Sequence, residues 1–226
     1  MAIRIVLITE NIYKSLLLAS ALENNGIRVV DTSNKFTDID ILMKQCKPDA
    51  LVFSLDTAAN QAVNAAEKAR KINPGVGLVF LTNVPDLRLL GINEKELPRG
   101  VQVVDKNSVT QLDEISHYLE RSIQALGATS SAVKTDSSTD GSVVASYLQS
   151  LTQVQIDTLR LVALGCSNAE IARIRLVTEK AVEHTITRML LALKISANPR
   201  HNARVLLSRE FFRWVEVDNQ TPKLVS

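Results

Sequence analysis

The sequence lacks the long apolar runs, paired cysteines and metal-ligand clusters that mark several classes of protein. Its apolar runs, such as Ile5–Ile8 and Leu16–Ala19, are far shorter than the roughly 20 residues that a membrane helix needs. Cys46 and Cys166 are far apart and have no metal-ligand spacing, so we expect two reduced, packed thiols and no zinc site. No glycine-rich phosphate loop or nucleophile–base set is evident. We therefore expect a cytoplasmic, non-enzymatic protein without a cofactor, a metal or a membrane partner.

Charge is distributed unevenly along the 226 residues. Residues 1–126 hold 14 Lys and Arg against 15 Asp and Glu, whereas residues 148–226 hold 11 against 7. A basic region is the electrostatic footprint that a polyanion requires, although this excess is modest. The carboxy-terminal part is therefore the better candidate for contact with nucleic acid.

Short apolar runs alternate with helical patterns in the first 126 residues. Runs that are apolar on both faces and separated by helices favour a parallel sheet covered on both sides, so we predict a doubly wound α/β domain. The predicted strands are 3–8, 27–32, 50–55, 77–82 and 101–105. The predicted helical segments are 12–25, 36–46, 60–72 and 108–126.

A small, polar stretch, GATSSAVKTDSSTDGSVVAS, follows this domain. Its apolar surface is too small to offset the entropy lost on ordering, so we interpret 127–146 as a flexible linker.

Helix-start signals are the clearest feature of the remainder, residues 147–226. Thr152 with Gln155, and Ser167 with Glu170, fit capping boxes. Asn198 followed by Pro199 fits the start of a last helix. The predicted helices are 152–164, 168–175, 179–193 and 199–215. Phe211, Phe212 and Trp214 cluster in the last of these, and we interpret them as core or dimer-interface residues.

The stretch LTQVQIDTLRLVALGCSNAEIARIRLVTEKAVEHTITRMLLALKI, 151–195, resembles the LuxR-type helix-turn-helix of NarL/FixJ response regulators. The matching positions belong mainly to the core and the caps. The resemblance implies an all-α DNA-binding domain whose last long helix, 179–193, reads double-stranded DNA. An apolar stripe, Val182, Ile186, Met189, Leu190 and Leu193, predicts the packed face of that helix. The candidate DNA-binding residues are Arg173, Thr178, Lys180, Glu183, His184, Thr187 and Arg188.

Glu183 departs from the resemblance, because the family commonly has a DNA-contacting lysine there. Arg175 stands where a core leucine is usual. Three alternatives are open for Glu183: it accepts a hydrogen bond from a cytosine amino group, it pairs with Lys180 or Arg188, or the helix no longer reads DNA. In the first two cases we expect Lys180, Arg173, Arg188 and helix-end amides to meet phosphates.

The first 126 residues resemble the receiver domain of two-component regulators, a flavodoxin-like fold with five parallel strands and five helices. The resemblance places the acidic pair at Thr9 and Glu10, and the acceptor aspartate at Ser54. Thr82 and Lys106 match the hydroxyl after strand four and the lysine after strand five. A serine cannot form the acyl phosphate, and one glutamate makes a poor magnesium site. The alternative acceptor is Asp56, which shares a strand face with Ser54.

These features together predict a transcription regulator with a degenerate receiver-like domain, 1–126, a linker, 127–146, and a helix-turn-helix domain, 147–226. We expect a homodimer, because paired reading helices raise the affinity of one weakly basic helix. A signalling protein or small ligand is a further possible partner of the receiver-like domain. Two alternatives are a regulator phosphorylated at Asp56, and an interaction module that keeps the helix-turn-helix fold without binding DNA.

Overall fold

The structure is a computed structural model that describes residues 2–55, 58–106, 109, 111, 113–125, 148–195 and 201–215. Asp56, the predicted linker and the predicted Asn198–Pro199 cap lie outside the described residues. The domain boundaries expected at 126–127 and 146–147 also fall outside them and stay predictions.

A five-stranded parallel sheet forms the amino-terminal unit, in the order β2-β1-β3-β4-β5. Its strands are β1 (Arg4–Thr9), β2 (Arg28–Ser33), β3 (Ala50–Leu55), β4 (Gly77–Thr82) and β5 (Gln102–Asp105). All five predicted strands are confirmed to within one residue at each end. Every residue of β3 and β4 is buried, as expected for central strands covered on both faces, whereas β2 is a partly exposed edge strand.

Four α-helices cover this sheet within the described residues: α1 (Ile12–Asn24), α2 (Ile39–Cys46), α3 (Ala59–Ile72) and α4 (Asp113–Gln124). One face of the sheet packs on α1 and α4 around Leu22, Ile115 and Leu119. On the other face Phe53 stacks with Phe36 at 6.3 Å between ring centroids and meets Phe80 edge-on at 5.3 Å. Aromatic and aliphatic burial on both faces therefore holds the strands in a fixed register.

The five helices implied by the receiver resemblance are not all present. Between β4 and β5, where every residue is described, the chain forms only two short 3-10 turns, Leu87–Leu90 and Glu94–Glu96. Gly91, at φ 80°, ends the first turn, and Pro98 follows the second. Left-handed glycine and proline both interrupt helical hydrogen bonding, so no α-helix forms over this stretch.

Among the described residues, the second unit contains the helices α5 (Gln153–Ala163), α6 (Asn168–Arg175), α7 (Glu179–Ala192) and α8 (Ala203–Val215). Helix α5 packs against α7 and α8, and α6 packs against α7. The core of this unit includes Ile156, Leu159, Ile171, Val182, Met189 and Leu207. The unit also includes Val84–Gly91, a stretch from between β4 and β5 that no sequence pattern associated with it.

Two helix-start predictions need correction. Helix α8 begins at Ala203, because residues 201–202 are not helical and the Asn202 side chain accepts from the Arg204 amide at 2.9 Å. The capping box at Thr152 and Gln155 is confirmed. At Ser167 only half of the predicted box forms: its hydroxyl accepts from the Glu170 amide at 3.2 Å, while the Glu170 carboxylate bonds Arg173 instead.

Candidate functional site

The carboxyl ends of β1, β3 and β4 bring the predicted receiver-site residues to one edge of the sheet. Thr9 lies directly opposite Ser54 on the neighbouring strand. Thr82 lies opposite Leu55 and Asp105, one step further along. Because side chains alternate along a strand, Thr9 and Ser54 share one face of the sheet and Thr82 belongs to the other.

The three hydroxyl side chains at this edge are buried, with Thr9 1%, Ser54 3% and Thr82 2% exposed. The Thr9 hydroxyl donates to the Asn11 carbonyl at 2.7 Å, next to the Asn11 side chain that caps α1. The Lys106 amide donates to the Thr82 carbonyl at 2.8 Å. The edge thus contains three buried hydroxyl groups.

Glu10 is the one acidic residue that the resemblance places at this edge and that the structure describes. Its carboxylate accepts a hydrogen bond from the Ala58 amide at 2.7 Å, immediately before α3. A carboxylate at a helix N-terminus is stabilised by the helix dipole and by the free amides there. Glu10 therefore has a structural partner. The described residues contain no group of three His, Cys, Asp or Glu side chains arranged to hold a metal.

Local sequence explains how the chain enters α7. Leu176 ends α6 in the left-handed conformation, with φ 53° and ψ 46°. The Val177 amide then donates to the Ala172 carbonyl at 3.0 Å, a helix-ending hydrogen bond. The Thr178 hydroxyl caps α7 by accepting from the Ala181 amide at 3.2 Å. Two helices joined by this tight turn have the geometry of a helix-turn-helix.

Helix α7 has one packed face and one exposed face. Val182, Ile186, Met189 and Leu190 are buried, and Leu193 is half-buried. All seven predicted DNA-binding residues are exposed: Arg173 and Thr178 before the helix, and Lys180, Glu183, His184, Thr187 and Arg188 on it. The structure therefore places the whole predicted DNA-binding set at the surface of the second unit.

Charge is ordered across the exposed face of α7. At 3.6 residues per turn, Glu179 and Glu183 follow one edge of this face, while His184 and Arg188 follow the opposite edge. Lys180 and Thr187 lie between them. Along Glu179–Ala192 the charges of two acidic and two basic side chains sum to zero when His184 is neutral. The exposed face is thus polarised across its width, with no net formal charge.

Glu183 forms no ion pair with any residue that the structure describes, so one of the three alternatives, pairing with Lys180 or Arg188, is not formed. Its backbone carbonyl accepts from the Thr187 hydroxyl at 3.0 Å. The opposite-edge position of Arg188 explains why these two charges do not meet. Within the described residues, Lys180, His184 and Arg188 form no ion pair either.

Arg173 is paired, unlike the charged residues of α7. Its Nε and Nη2 donate to the two Glu170 carboxylate oxygens at 2.9 and 2.6 Å. Hydrogen bonding to Arg173 holds the pKa of Glu170 below its usual value, and the same pairing raises the pKa of Arg173. Because both side chains are well exposed, this pair contributes little to stability and leaves Arg173 partly neutralised.

Arg175, the departure from the usual core leucine, has a partner that sequence reasoning missed. Its Nη1 donates to the Thr158 hydroxyl at 2.6 Å, and that hydroxyl donates to the Val154 carbonyl at 2.7 Å. Thr158 is fully buried in α5. The hydroxyl accepts one of the guanidinium donors, where a leucine would make only apolar contacts. Arg175 signalled that something was unusual, but nothing in the sequence pointed to Thr158.

A second missed residue, Arg204 of α8, holds the start of α6. Its Nη1 donates to the Asn168 side-chain oxygen at 2.6 Å, and its Nη2 donates to the Cys166 carbonyl. The first helix of the helix-turn-helix is therefore anchored from a helix outside the motif.

No protein-family model matches this sequence, and no curated protein matches it. Solved structures do match it along nearly the whole chain. The two-component response regulator RcsB in its complex with DNA aligns with a TM-score of 0.54, covering 95% of this chain and 100% of that chain at 14% identity. The chain has the fold of a response regulator.

Two further structures of the same kind support this assignment of the fold. One contains two RcsB dimers bound to two parallel DNAs and aligns with a TM-score of 0.51 at 14% identity, covering 93% of this chain and 99% of that one. The other is RcsB from Salmonella enterica serovar Typhimurium bound to promoter rprA with the phosphomimetic BeF3⁻. It aligns with a TM-score of 0.50 at 14% identity and covers 93% of this chain and 98% of that one.

The response-regulator fold confirms the predicted fold class, with a receiver-like parallel sheet followed by a helical unit that contains a helix-turn-helix. In the described part of the chain, every helix is too short or too polar to cross a membrane.

Proposed function

We propose that this protein is a sequence-specific DNA-binding transcription regulator that works without phosphorylation of its receiver-like domain. The observation that carries the proposal is the two-faced helix α7. Its apolar face packs in the core of the helical unit, and its polar face is exposed immediately after a helix-turn-helix turn. In such motifs the second helix lies in the major groove, and residues near its N-terminus contact base edges.

Glu183 and Lys180 lie in the first half of α7, where base contacts are made. Because Glu183 has no cation to neutralise it within the described residues, its carboxylate is free to accept from a cytosine amino group. Lys180 and Arg188 then meet phosphates on either side. The acidic edge limits binding to arbitrary DNA, and the cytosine contact favours the specific site.

A single helical unit of this charge binds DNA weakly, so the proposal includes a homodimer. The exposed face of α7 has no net formal charge, and Glu170 partly neutralises Arg173. Two copies on paired half-sites double the number of phosphate contacts and bind as one. Dimers on DNA are described for RcsB, which shares this fold.

Two residues support independence from phosphorylation. Ser54, at the position expected for the acceptor, is buried and lacks the carboxylate that forms an acyl phosphate. Glu10, the remaining acid of the expected pair, accepts from the Ala58 amide. Both observations weaken the case for a magnesium-dependent phosphoryl site.

A salt titration of DNA binding tests the DNA-binding part. Glu183→Lys replaces a repelled charge with an attracted one, so affinity for arbitrary duplex should rise and the log–log salt slope should steepen by about one unit. Arg188→Ala should do the opposite. Glu67→Lys, the same charge change at an exposed residue of α3, is the matched control and should alter neither.

The same variants separate the roles of Glu183. If it reads a cytosine, Glu183→Lys loses preference for the native site by roughly 1–3 kcal/mol even as general affinity rises. If neither Glu183→Lys nor Arg188→Ala changes affinity or slope on any DNA, α7 does not face DNA.

Incubation with acetyl phosphate and Mg²⁺ tests the phosphorylation part. The intact mass should stay unchanged, and Asp56→Asn should bind DNA like the wild type. A phosphoryl adduct that disappears in Asp56→Asn would establish phosphorylation at Asp56 and overturn this part of the proposal.

A second candidate function is a protein-interaction module that keeps the helix-turn-helix fold without DNA. The zero formal charge of α7 favours it, because a face with separate acidic and basic edges suits a partner protein with complementary charges. DNA binding that is undetectable at low salt, with a folded helical unit, would make this the better description.

A further inference from the structure

The stretch Val84–Gly91, called the arm below, belongs to the helical unit although it lies between β4 and β5 in sequence. Its central 3-10 turn, Leu87–Leu90, packs against α5 and α8. Four of its apolar side chains are buried: Val84, Leu87, Leu89 and Leu90. The helical unit is therefore assembled from two separate stretches of sequence.

Arg88 connects the arm to the turn that precedes α5. Its Nη1 donates to the Leu151 carbonyl at 2.9 Å, and its Nη2 donates to the Leu148 carbonyl at 2.8 Å. Leu148 and Leu151 are themselves buried, and the Leu151 amide donates to the Leu148 carbonyl at 3.0 Å. A cation on carbonyls at the end of a helical turn is favourable, since these groups carry partial negative charge.

Asp86 holds the Arg88 guanidinium in place. Arg88 Nε lies 3.0 Å from each Asp86 carboxylate oxygen, and Nη2 lies 2.6 Å from Oδ2. Asp86 also accepts from the Arg88 amide at 2.9 Å, which caps the 3-10 turn. Both side chains are largely buried, with exposures of 24% and 14%. Such a planar, bidentate pair fixes the direction of the remaining donors.

The other end of the arm, at Gly91, lies close to the side chain of Arg160. A Cβ at Gly91 would overlap the guanidinium of Arg160, which lies in α5. Gly91 also has a φ of 80°, a conformation that other residues rarely adopt. The arm is thus bonded through Arg88 and lies close to α5 at Gly91.

We propose that the arm supports the helical unit that binds DNA, and that Arg88 is the positioning residue that fixes the start of α5. By holding the Leu148 and Leu151 carbonyls, Arg88 sets the chain direction into the Thr152 cap. Helix α5 in turn packs against α7. The arm begins two residues after Thr82 in the sequence. The link to DNA rests on the proposed function, whereas the structural role does not.

Hydrogen exchange on the full-length chain tests the structural role. Arg88→Met should raise amide exchange at Leu151 and through α5 by about tenfold or more, because two buried carbonyls lose a charged donor. Arg88→Lys should recover part of the protection, since an ammonium group can still donate to one carbonyl. Arg99→Met, an exposed arginine between the same two strands, is the matched control and should change nothing.

Asp86→Asn provides a second, milder variant in case Arg88→Met fails to fold. It keeps Arg88 and weakens its charged partner, so exchange in α5 should increase by less than in Arg88→Met. Unchanged α5 exchange in Asp86→Asn and in a folded Arg88→Met protein would overturn the proposal.

DNA binding supplies a readout that separates positioning from direct contact. Arg88→Met should weaken affinity several-fold while the log–log salt slope stays constant, because Arg88 meets no phosphate in this proposal. A slope reduced by about one unit would show instead that Arg88 contacts DNA. If the wild type binds no DNA, the proposed function fails, and the exchange experiment still decides whether the arm supports α5.

Discussion

The sheet edge and helix α7 carry the two sets of predicted site residues under opposite conditions. Thr9, Ser54 and Thr82 are at most 3% exposed, whereas Lys180, Glu183, His184 and Arg188 all lie at the surface. A charge at the buried edge must have a partner, because burial penalises an unpaired ion. A charge on α7 is hydrated by water, so an acid can replace a base there without damaging the fold.

Arg175 and Glu183, two departures from the resemblance, follow the same division. Arg175, at a position expected in the core, is accompanied by the Thr158 hydroxyl. Glu183, on the exposed face, has no compensating partner among the described residues. The pairing of Arg175 with Thr158 therefore affects stability. Glu183 has no such role in the fold and is available for the proposed DNA recognition.

The largest difference in stability between buried and exposed positions is expected when a phenylalanine is truncated. Phe53→Ala should lower the free energy of unfolding by about 3–5 kcal/mol, because Phe53 is fully buried between Phe36 and Phe80. Phe212→Ala, at a side chain 43% exposed in α8, should cost less than about 1 kcal/mol. Urea unfolding measures both, and equal losses would contradict the proposed contrast.

Introducing a carboxylate tests the two sites directly. Ser54→Asp should lower the free energy of unfolding of the sheet unit by about 2–3 kcal/mol, because the new carboxylate is desolvated. Thr187→Asp, on α7, should change stability by less than about 0.5 kcal/mol.

Thermal unfolding with and without Mg²⁺ tests whether the new carboxylate of Ser54→Asp binds the metal. We expect that Mg²⁺ does not recover the stability lost in Ser54→Asp. Full recovery in Mg²⁺ would show that the edge still forms a magnesium site and lacks only its acceptor.

A double-mutant cycle tests the compensation at Arg175. Thr158→Val should cost about 1–2 kcal/mol, because the guanidinium loses its acceptor while the surroundings stay apolar. Adding Arg175→Leu should recover most of that loss, since replacing both partners by apolar groups is nearly neutral. Additive losses in the double variant would mean that the two side chains do not act as a pair.

The smallest effect concerns the turn before α7. Leu176 adopts φ 53° with its side chain 91% exposed, so it has backbone strain without compensating burial. Leu176→Asn should stabilise the helical unit by about 1 kcal/mol, because asparagine tolerates the left-handed region better. A lower melting temperature would instead show that the exposed leucine has a packing role.

Local patterns predicted much of the fold. All five strands, the Thr152 capping box and the bounds of α6 follow from apolar periodicity and from side chains that bond amides three residues away. The exposed set on α7 follows from the same 3.6-residue period. The apolar pattern also marked no helix between β4 and β5, and only the receiver resemblance implied one, over a stretch that Gly91 and Pro98 interrupt.

The sequence by itself determined the elements, the face of each helix that packs, and the residue types offered at each site. Only the tertiary structure decided that Glu10 bonds an amide 48 residues away, that Thr158 accepts a hydrogen bond from Arg175, and that the arm joins the helical unit. The reason is physical. Periodicity and capping involve residues within about four positions of one another, whereas these partners meet only where packing returns the chain to the same place.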